Sequence, residues 1–280
     1  MNPAARIYDL DLSRPCVMTV VNVTPDSYYC ASRAQDERSI ISRVESALAD
    51  GAGIIDIGGC STRPGSVAPA ADEELRRVLL GVRCVREVSQ SVPVSIDTWR
   101  SVVAARVLES YDRIVVNDVS GGDMDPAIVD VAVAAQVPYI AMHMRGTPAT
   151  MSAMTDYDDV VQDVVASLGR KMLMLQERGM RECDIMLDPG FGFAKSTEQN
   201  FRLLSGLHEV CALGRPVVAG LSRKSMIYRT LGTTPDECLA PTAALQWEAL
   251  REGAAILRVH DTRAAADTVR LYEEYIKSRR

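Results

Sequence analysis

Polar side chains end eight short apolar runs in this sequence of 280 residues. In one of them, Ile54-Ile-Asp-Ile, Asp56 comes just before the glycine pair Gly58-Gly59. Buried parallel strands read as apolar runs, and two glycines allow the backbone to turn sharply out of a strand. The preference of Asp and Asn for turns explains one or two such ends but explains a recurring set poorly. The polar residues at or just beyond the eight ends are Asn22, Asp56, Asp97, Asn117, His143, Asp188, Lys224, Arg258 and His260.

One group of these residues is suited to a flat heterocycle. Asp97 and Asp188 offer hydrogen-bond acceptors, and Asn117 offers both an acceptor and donors. Lys224 adds a donor for a carbonyl oxygen or a ring nitrogen. Together they predict a ligand with amino and ring N–H groups, such as a pterin or a purine.

A second group is suited to phosphate. Arg258 and Arg63 carry guanidinium groups, which bind phosphate oxygens in a bidentate manner. His260 and Asn22 supply further donors. The sequence therefore predicts a substrate in which the ring is joined to a phosphate or a diphosphate.

Two stretches resemble nucleotide-binding loops without completing the pattern. The stretch Gly190-Phe-Gly192-Phe-Ala-Lys195 lacks the third glycine of a dinucleotide fingerprint, and Arg223 replaces the glycine that precedes the lysine of a phosphate-binding loop. We interpret both as loops that follow strands. His143, between methionines on an apolar run, is expected to support the site from the core rather than to act as a base.

The alternation of eight apolar runs with helical segments predicts a (β/α)8 TIM barrel, with residues 1–280 as a single domain. In this fold the carboxyl ends of all strands open on one face, where active sites lie. Asp72 is the expected N-cap of the second helix. Apolar spacing predicts helices over residues 39–50, 72–88, 101–108, 125–135, 157–178 and 262–276.

Composition narrows the partners of the protein. The net charge of -6 and the absence of a basic run argue against a nucleic-acid surface. Seven scattered cysteines without a Cys-x-x-Cys pair and only three histidines indicate neither a disulfide framework nor a zinc site. No apolar stretch reaches about 18 residues, the length typical of a membrane span. We therefore expect a cytoplasmic protein with small-molecule substrates.

The polar stretches together resemble the dihydropteroate synthase family, the pterin-binding barrels of the folate pathway. The resemblance runs in order through nearly the whole chain. The motifs that carry it are Asn22-Val-Thr-Pro-Asp-Ser27, Asp56-Ile-Gly-Gly59, Ser61-Thr-Arg-Pro-Gly65, Ser95-Ile-Asp-Thr98, Asn117-Asp-Val-Ser-Gly-Gly122, Met142-His-Met144, Asp188-Pro-Gly-Phe-Gly-Phe193, Ser222-Arg-Lys-Ser225 and Arg258-Val-His260.

This resemblance implies a transferase that joins 6-hydroxymethyl-7,8-dihydropterin diphosphate to 4-aminobenzoate, giving 7,8-dihydropteroate and pyrophosphate. It further implies Mg²⁺ as cofactor, a homodimer, and sulfonamides as inhibitors. The residues that match the pterin site of the family are Asp97, Asn117, Met142, Asp188, Gly220, Lys224 and Arg258.

The resemblance also implies roles for the remaining motif residues. Asn22 would bind Mg²⁺ or the diphosphate, and Arg63, Arg258 and His260 would contact the diphosphate. Asp97, Lys224 and Arg258 are the expected catalytic residues, with Asp97 stabilising a cationic pterin. The expected aminobenzoate pocket contains Thr62, Arg63, Pro64, Phe193, Lys195 and Ser222.

The chain departs from the pattern of the family in two loops. Cys60 stands where the family usually has Glu or Gln, and Tyr28-Tyr-Cys-Ala-Ser-Arg33 replaces a Phe and a glycine-rich run. Two other functions therefore remain open: a pterin-binding paralogue without catalytic activity, and a pterin-dependent methyltransferase. The methyltransferase would not need the diphosphate group of residues, and the chain has no corrinoid-binding domain.

Overall fold

The eight apolar runs form eight parallel strands that close into a barrel in the computed structural model, which describes residues 6–23, 33–60 and 67–279. Each strand pairs with the next in chain order from β1 to β6, and β8 lies between β1 and β7. A parallel bridge between Leu187 and Val217 joins β6 to the entry of β7 and completes the ring. The predicted (β/α)8 barrel is thereby confirmed. Its strands are β1 Cys16–Asn22, β2 Ile54–Gly58, β3 Val94–Asp97, β4 Ile114–Asp118, β5 Tyr139–Met142, β6 Ile185–Asp188, β7 Val218–Ala219 and β8 Ile256–Val259.

Helices follow the strands and surround the barrel. The third helix has the predicted bounds, and most of the others differ by a few residues at their ends. The helices are α1 Arg33–Ala49, α2 Ala71–Val88, α3 Ser101–Leu108, α4 Ala127–Ala135, α5 Val160–Glu177, α6 Thr197–Ser205, α7 Leu207–Cys211, α8 Ser225–Leu231, α9 Leu239–Arg251 and α10 Thr262–Lys277.

Three features of these helices differ from the sequence prediction. The first helix begins at Arg33 instead of residue 39, because its polar first turns carry no apolar signal. Asp72 is not the N-cap of α2, since that helix begins at Ala71 after Ala70. A side-chain N-cap is present at α5, where Oδ1 of Asp159 accepts hydrogen bonds from the backbone N–H groups of Val161 and Gln162. Helices α6 to α9 were not predicted from the sequence.

Alternation along the strands decides which side chains reach the mouth of the barrel. Successive strand residues point to opposite faces, so a residue two positions after an interior one also faces the interior. Six strands carry an apolar side chain that is buried inside the barrel. Two residues later, each of these strands carries a residue predicted to belong to the site or its rim. These pairs are Ile54 and Asp56, Val115 and Asn117, Ile140 and Met142, Met186 and Asp188, Val218 and Gly220, and Ile256 and Arg258.

A short antiparallel hairpin precedes the barrel and was not predicted. Arg6–Ile7 pairs with Leu10–Asp11. Ile7 packs into the interior apolar cluster, and the Tyr8 hydroxyl donates a hydrogen bond of 2.6 Å to the backbone oxygen of Ile114 at the start of β4. The hairpin therefore covers the amino-terminal end of the barrel, opposite the polar mouth.

No helix in the described part of the chain is both long and apolar enough to cross a membrane.

Replacing Tyr8 by Phe should destabilise the fold. The substitution keeps the ring but removes the donor, and it leaves a backbone oxygen without this partner. A loss of about 1 kcal/mol in the free energy of unfolding is expected, measured by urea denaturation. Ser278→Ala, which removes an exposed hydroxyl that donates to the backbone oxygen of Tyr275, is the control. Equal stability of Tyr8→Phe and the wild type would show that the hairpin contributes nothing through this hydrogen bond.

Candidate active site

The guanidinium of Arg258 is shared between two carboxylates at the mouth of the barrel. Its Nε donates a 2.8 Å hydrogen bond to Oδ2 of Asp56, and its NH2 group donates a 2.7 Å hydrogen bond to Oδ2 of Asp97. Asp56 is fully buried and Asp97 is 6% exposed. The residue types had grouped Arg258 with the phosphate-binding residues, and the resemblance had placed it in the pterin site as well. The structure shows it bonded to Asp97 of the ring group and to Asp56. Asp56 thus fixes the head of Arg258, a function that the sequence analysis did not assign.

Asp97 is the most unusual acid of the site. The pKa of its carboxyl is raised from 3.8 to about 7, mainly by burial; Arg258 opposes this shift and Asp56 adds to it. Its Oδ1 atom is buried and has no hydrogen-bond partner among the described residues. A buried acceptor in this state is poised for a donor on a ligand.

Asn117 lies beside this clamp at the end of β4. Its amide Nδ2 donates to Oδ1 of Asp56 over 3.4 Å. The following turn is held by Asp118, which accepts hydrogen bonds from the backbone N–H of Ser120 at 2.8 Å and from the hydroxyl of Tyr139 at 2.6 Å. Asp56 therefore orients the amide of Asn117, while Asp118 holds the turn that follows it.

Lys224 and Asp188 complete the ring group. Burial lowers the pKa of Lys224 from 10.5 to about 8, although Asp188 and Asp97 favour its charged form. Burial also raises the pKa of Asp188, while a hydrogen bond from the backbone N–H of Gly190 and the charge of Lys224 oppose that shift. The ammonium of Lys224 lies 4.5 Å from the centroid of the Phe193 ring, a cation–π contact.

A narrow cavity opens between these side chains. Met142 and Gly220 line it, and a Cβ atom at Gly220 would meet no atom within 4 Å, so there is open space beside this glycine. The lining residues are Asn117, Val119, Met142, Asp188, Gly190, Phe191, Phe193, Gly220, Lys224 and Arg258.

The charges of the site do not cancel. The carboxylates of Asp56, Asp97 and Asp188 face the guanidinium of Arg258 and the ammonium of Lys224, so with all groups ionised the site carries one net negative charge. In a site of low dielectric constant such an excess favours a bound cation, or an ion pair in which positive charge develops next to the carboxylates. The acceptors along the wall are suited to ring N–H groups.

Ser222 and His260 form a second polar pair at the rim. The Ser222 hydroxyl accepts the backbone N–H of His260 over 3.2 Å and lies 3.1 Å from its Nδ1. Burial, together with the charges of Arg258 and Lys224, lowers the pKa of His260 to about 4, so the ring is neutral at pH 7. A hydroxyl that donates to Nδ1 leaves the proton on Nε2, which is then a donor for an anion.

The remaining predicted residues lie in different surroundings. Asn22 ends β1 with an exposed side chain, whose Oδ1 lies 3.0 Å from where a Cβ atom on Gly58 would be. Lys195 is 9% exposed and its ammonium contacts His143 and two backbone oxygens, so it does not open toward the cavity. His143, 2% exposed, has the supporting position that the sequence predicted.

Thr62, Arg63 and Pro64 lie outside the described residues, as do residues 28–32.

Cys60 packs in an apolar cluster at the mouth. It is 5% exposed and shares this cluster with Trp99, Met144 and Phe193. Burial raises the pKa of its thiol to about 11, so a thiolate nucleophile is not expected at this position. Within residues 6–23, 33–60 and 67–279, no group of three or more His, Cys, Asp and Glu side chains is arranged to hold a metal ion.

Comparison with known proteins gives one consistent result. The family described as pterin binding enzyme matches residues 18–260, a span that includes part of every barrel strand. A dihydropteroate synthase of Haemophilus influenzae is 39% identical over 264 residues, which cover 94% of this chain and 95% of that protein.

Solved structures agree with this similarity. A dihydropteroate synthase of Xanthomonas albilineans, solved with 4-aminobenzoic acid, is 34% identical with a TM-score of 0.89, and the match covers 99% of each chain. A dihydropteroate synthase of Burkholderia cenocepacia, complexed with 7,8-dihydropteroate, is 36% identical with a TM-score of 0.85, and the match covers 96% of this chain and 94% of that one. Both relatives span the whole barrel.

Replacing Asp56 by Asn should lower the pKa of Asp97. The substitution removes a negative neighbour and leaves the guanidinium of Arg258 to Asp97 alone, and both changes favour the ionised form. We expect the pKa of Asp97 to move from about 7 toward its ordinary value of 3.8. A pH titration of the aspartate carboxyl carbons by NMR measures it, with the Asp97→Asn spectrum for assignment.

Asp267→Asn is the matched control for this titration. Asp267 pairs with Arg263 on the surface of α10, where its side chain is 47% exposed. Its substitution should leave the titration of Asp97 unchanged. A pKa of Asp97 that stays near the wild-type value in Asp56→Asn would contradict the shared clamp.

Proposed function

The chain belongs to the pterin-binding enzymes, and within them to the dihydropteroate synthases of folate biosynthesis; on this basis we propose how its site joins 6-hydroxymethyl-7,8-dihydropterin diphosphate to 4-aminobenzoate. The observation that carries the proposal is the Oδ1 atom of Asp97, which is buried in the site and has no partner among the described residues. A dihydropterin has the ring N–H donors for that acceptor, and its reaction develops positive charge on the ring.

We propose that the pterin occupies the cavity at the carboxyl ends of strands β3 to β8. Asp97, Asn117 and Asp188 accept hydrogen bonds from the amino and ring N–H groups, and Asn117 and Lys224 donate to the carbonyl oxygen or ring nitrogens. Met142 forms an apolar wall, and Gly220 leaves room for the ring. The neutral wall and the charged rim then hold the ring in one orientation.

The diphosphate lies at the rim in this proposal. Arg258 is close to both regions, because its head is bonded to Asp97 while its side chain is 21% exposed. The Nε2–H of His260 and the guanidinium of Arg63 are the further donors. Bidentate contacts of this kind bind the leaving group and offset its charge.

We propose that Mg²⁺ binds together with the diphosphate. The amide oxygen of Asn22 is a hard ligand of the kind that Mg²⁺ accepts, and the described residues offer no carboxylate cluster for it. Such a site fits an ion that is bound mainly through phosphate oxygens and water. When bound, the ion neutralises charge on the departing diphosphate.

The reaction then proceeds by loss of the leaving group. The C–O bond to the diphosphate breaks, and its electron pair leaves with the diphosphate. The resulting methylene cation is conjugated with the pterin ring and lies near the carboxylate of Asp97. The amine nitrogen of 4-aminobenzoate forms the new C–N bond and releases a proton to the departing diphosphate or to water, so no side-chain nucleophile is required.

The aminobenzoate pocket is the part of the proposal that depends on the loops. Phe193 and Ser222 lie at the mouth, next to Lys224 and His260 respectively. Thr62, Arg63 and Pro64 are predicted to close the same pocket, which places the arylamine between the pterin and the rim. Cys60 and the stretch from Tyr28 to Arg33 distinguish this chain here, and the noncatalytic paralogue would differ from the synthase at this step.

Assembly and location are proposed on the same basis. We propose that two copies form a homodimer in the cytoplasm. Leu271 and Tyr275 on α10 are exposed at 66% and 41%, and they give an apolar face that a second copy would cover.

Ordered binding tests the synthase directly. We expect calorimetry to show that 4-aminobenzoate binds only when a pterin, pyrophosphate and Mg²⁺ are present, because the first ligands complete the second pocket. Product analysis should then find dihydropteroate from the two substrates. Pterin binding without any arylamine binding or product would indicate the noncatalytic paralogue, and Cys60→Glu would be the first reversion to make.

The pH profile tests the role of Asp97. The reaction needs ionised Asp97 and protonated Lys224, so kcat/KM should rise with pH through about 7 and fall as the pH passes about 8. Asp97→Asn should remove the acidic limb and lower kcat by about a hundredfold or more, while pterin binding weakens much less. Equal losses of kcat and of pterin affinity, or an acidic limb that persists, would contradict this role.

A further inference from the structure

We propose that Lys195 and Asn200 are positioning residues, which hold the loop of residues 190–196 so that Phe193 covers the ammonium of Lys224. This loop is called the β6 loop below. The inference rests on the proposed function for the role of Lys224, and it changes the expected role of Lys195, which the sequence had assigned to the aminobenzoate pocket.

The β6 loop has an unfavourable backbone that needs support. Gly190, Gly192 and Ala194 have φ angles of +69°, +80° and +51°. Glycine adopts this left-handed region readily, but an alanine there is strained. Strained backbone of this kind persists only where the surroundings over-determine it.

Lys195 supplies that support from inside the loop. Its ammonium donates to the backbone oxygen of Gly190 at 2.9 Å and to that of Phe193 at 3.0 Å, and it lies 3.0 Å from Nδ1 of His143. Burial and the charge of Lys195 lower the pKa of His143 to about 2, so the ring is neutral, and Nδ1 accepts from the ammonium when the ring proton is on Nε2. Burial lowers the pKa of Lys195 itself to about 7. In its ammonium form Lys195 has three donors, and these three acceptors use all of them. Lys195 therefore acts on substrates through the loop.

Asn200 holds the same loop from α6. Its side chain is 1% exposed, and its Oδ1 accepts the backbone N–H of Gly192 at 2.6 Å. Its Nδ2 donates to the backbone oxygen of Ser196 at 2.7 Å and to that of Lys195 at 3.3 Å. The two side chains thus fix both the strained centre of the loop and its junction with the helix.

The loop in turn encloses Lys224. The Phe193 ring lies 4.5 Å from the ammonium, and a Cβ atom at Gly192 would be 3.1 Å from Cδ of Lys224. The charged groups facing this ammonium are Arg258, which disfavours its protonation, and Asp188 and Asp97, which favour it. Since burial is the main reason why its pKa is about 8, the seal formed by the β6 loop sets the protonation of Lys224.

Two substitutions test this positioning role. Lys195→Met removes the three donors at similar length, and Asn200→Leu removes the amide contacts without changing any charge. Both should let water reach Lys224, so that its pKa rises toward the ordinary value of 10.5. Reductive methylation of Lys224 across a pH series, read by mass spectrometry, measures this pKa without any need for turnover.

The pH dependence of kcat/KM should change together with the pKa of Lys224. The basic limb of kcat/KM should shift to higher pH in both variants, and the maximum should fall by about ten- to a hundredfold because the site is less well oriented. Asn200→Leu is the decisive variant. Lys195→Met also removes a positive charge near Lys224, and that loss would by itself raise the pKa of Lys224. Asn200→Ser is the smaller change of the same kind should the leucine prevent folding.

Leu168→Ala is the control for destabilisation alone. Leu168 is a fully buried core residue of α5, and its truncation should lower the free energy of unfolding while leaving the pKa of Lys224 and the basic limb unchanged. A folded Asn200→Leu in which Lys224 titrates as in the wild type would overturn the inference. A wild type whose Lys224 has the low pKa but which forms no dihydropteroate would overturn the proposed function instead.

Discussion

The interaction on which the site depends is the guanidinium of Arg258 held between Asp56 and Asp97. Three strands far apart in sequence meet there, and each contributes one charge to a region that is largely shielded from water. An isolated buried carboxylate would take up a proton, and Asp97 approaches that limit because its pKa is raised to about 7. Arg258 keeps it from going further. The site is thus close to a change of protonation near neutral pH, which is typical of groups that act on a developing charge.

The barrel makes this arrangement possible because its interior is divided into two parts. Toward the amino-terminal end, apolar side chains such as Met18 and Ile54 fill the interior, and the hairpin covers them. Two residues further along several strands, the same face carries acids, amides and cations. The apolar layer contributes to the free energy of folding, and it also provides the low dielectric surroundings in which the few charges above it interact strongly.

The loops behind the site are held by buried polar side chains rather than by apolar packing alone. Lys171 on α5 donates to the backbone oxygen of Ser120 at 2.6 Å, behind the turn that follows Asn117. Lys195 and Asn200 do the same for the β6 loop. A lysine can satisfy several carbonyl oxygens at once, which suits short turns whose oxygens point inward. These two turns are therefore fixed from behind by side chains that do not line the pocket.

The sequence by itself determined the architecture and most of the site. Apolar runs that end in polar residues are a local property, and their eightfold recurrence predicts both the barrel and the face on which Asp97, Asn117, Asp188, Lys224 and Arg258 meet. Helices α6 to α9 were missed. Of these, α6, α7 and α8 have only 9, 5 and 7 residues, and helices this short are stabilised by packing on the barrel rather than by a strong local pattern. The partners of each side chain were also beyond reach: Asp56 and Arg258 are 202 residues apart in sequence. Only the closed barrel decided that Arg258 bonds to carboxylates and that the ammonium of Lys195 turns away from the cavity, because hydrogen-bond partners and burial depend on which strands become neighbours in space.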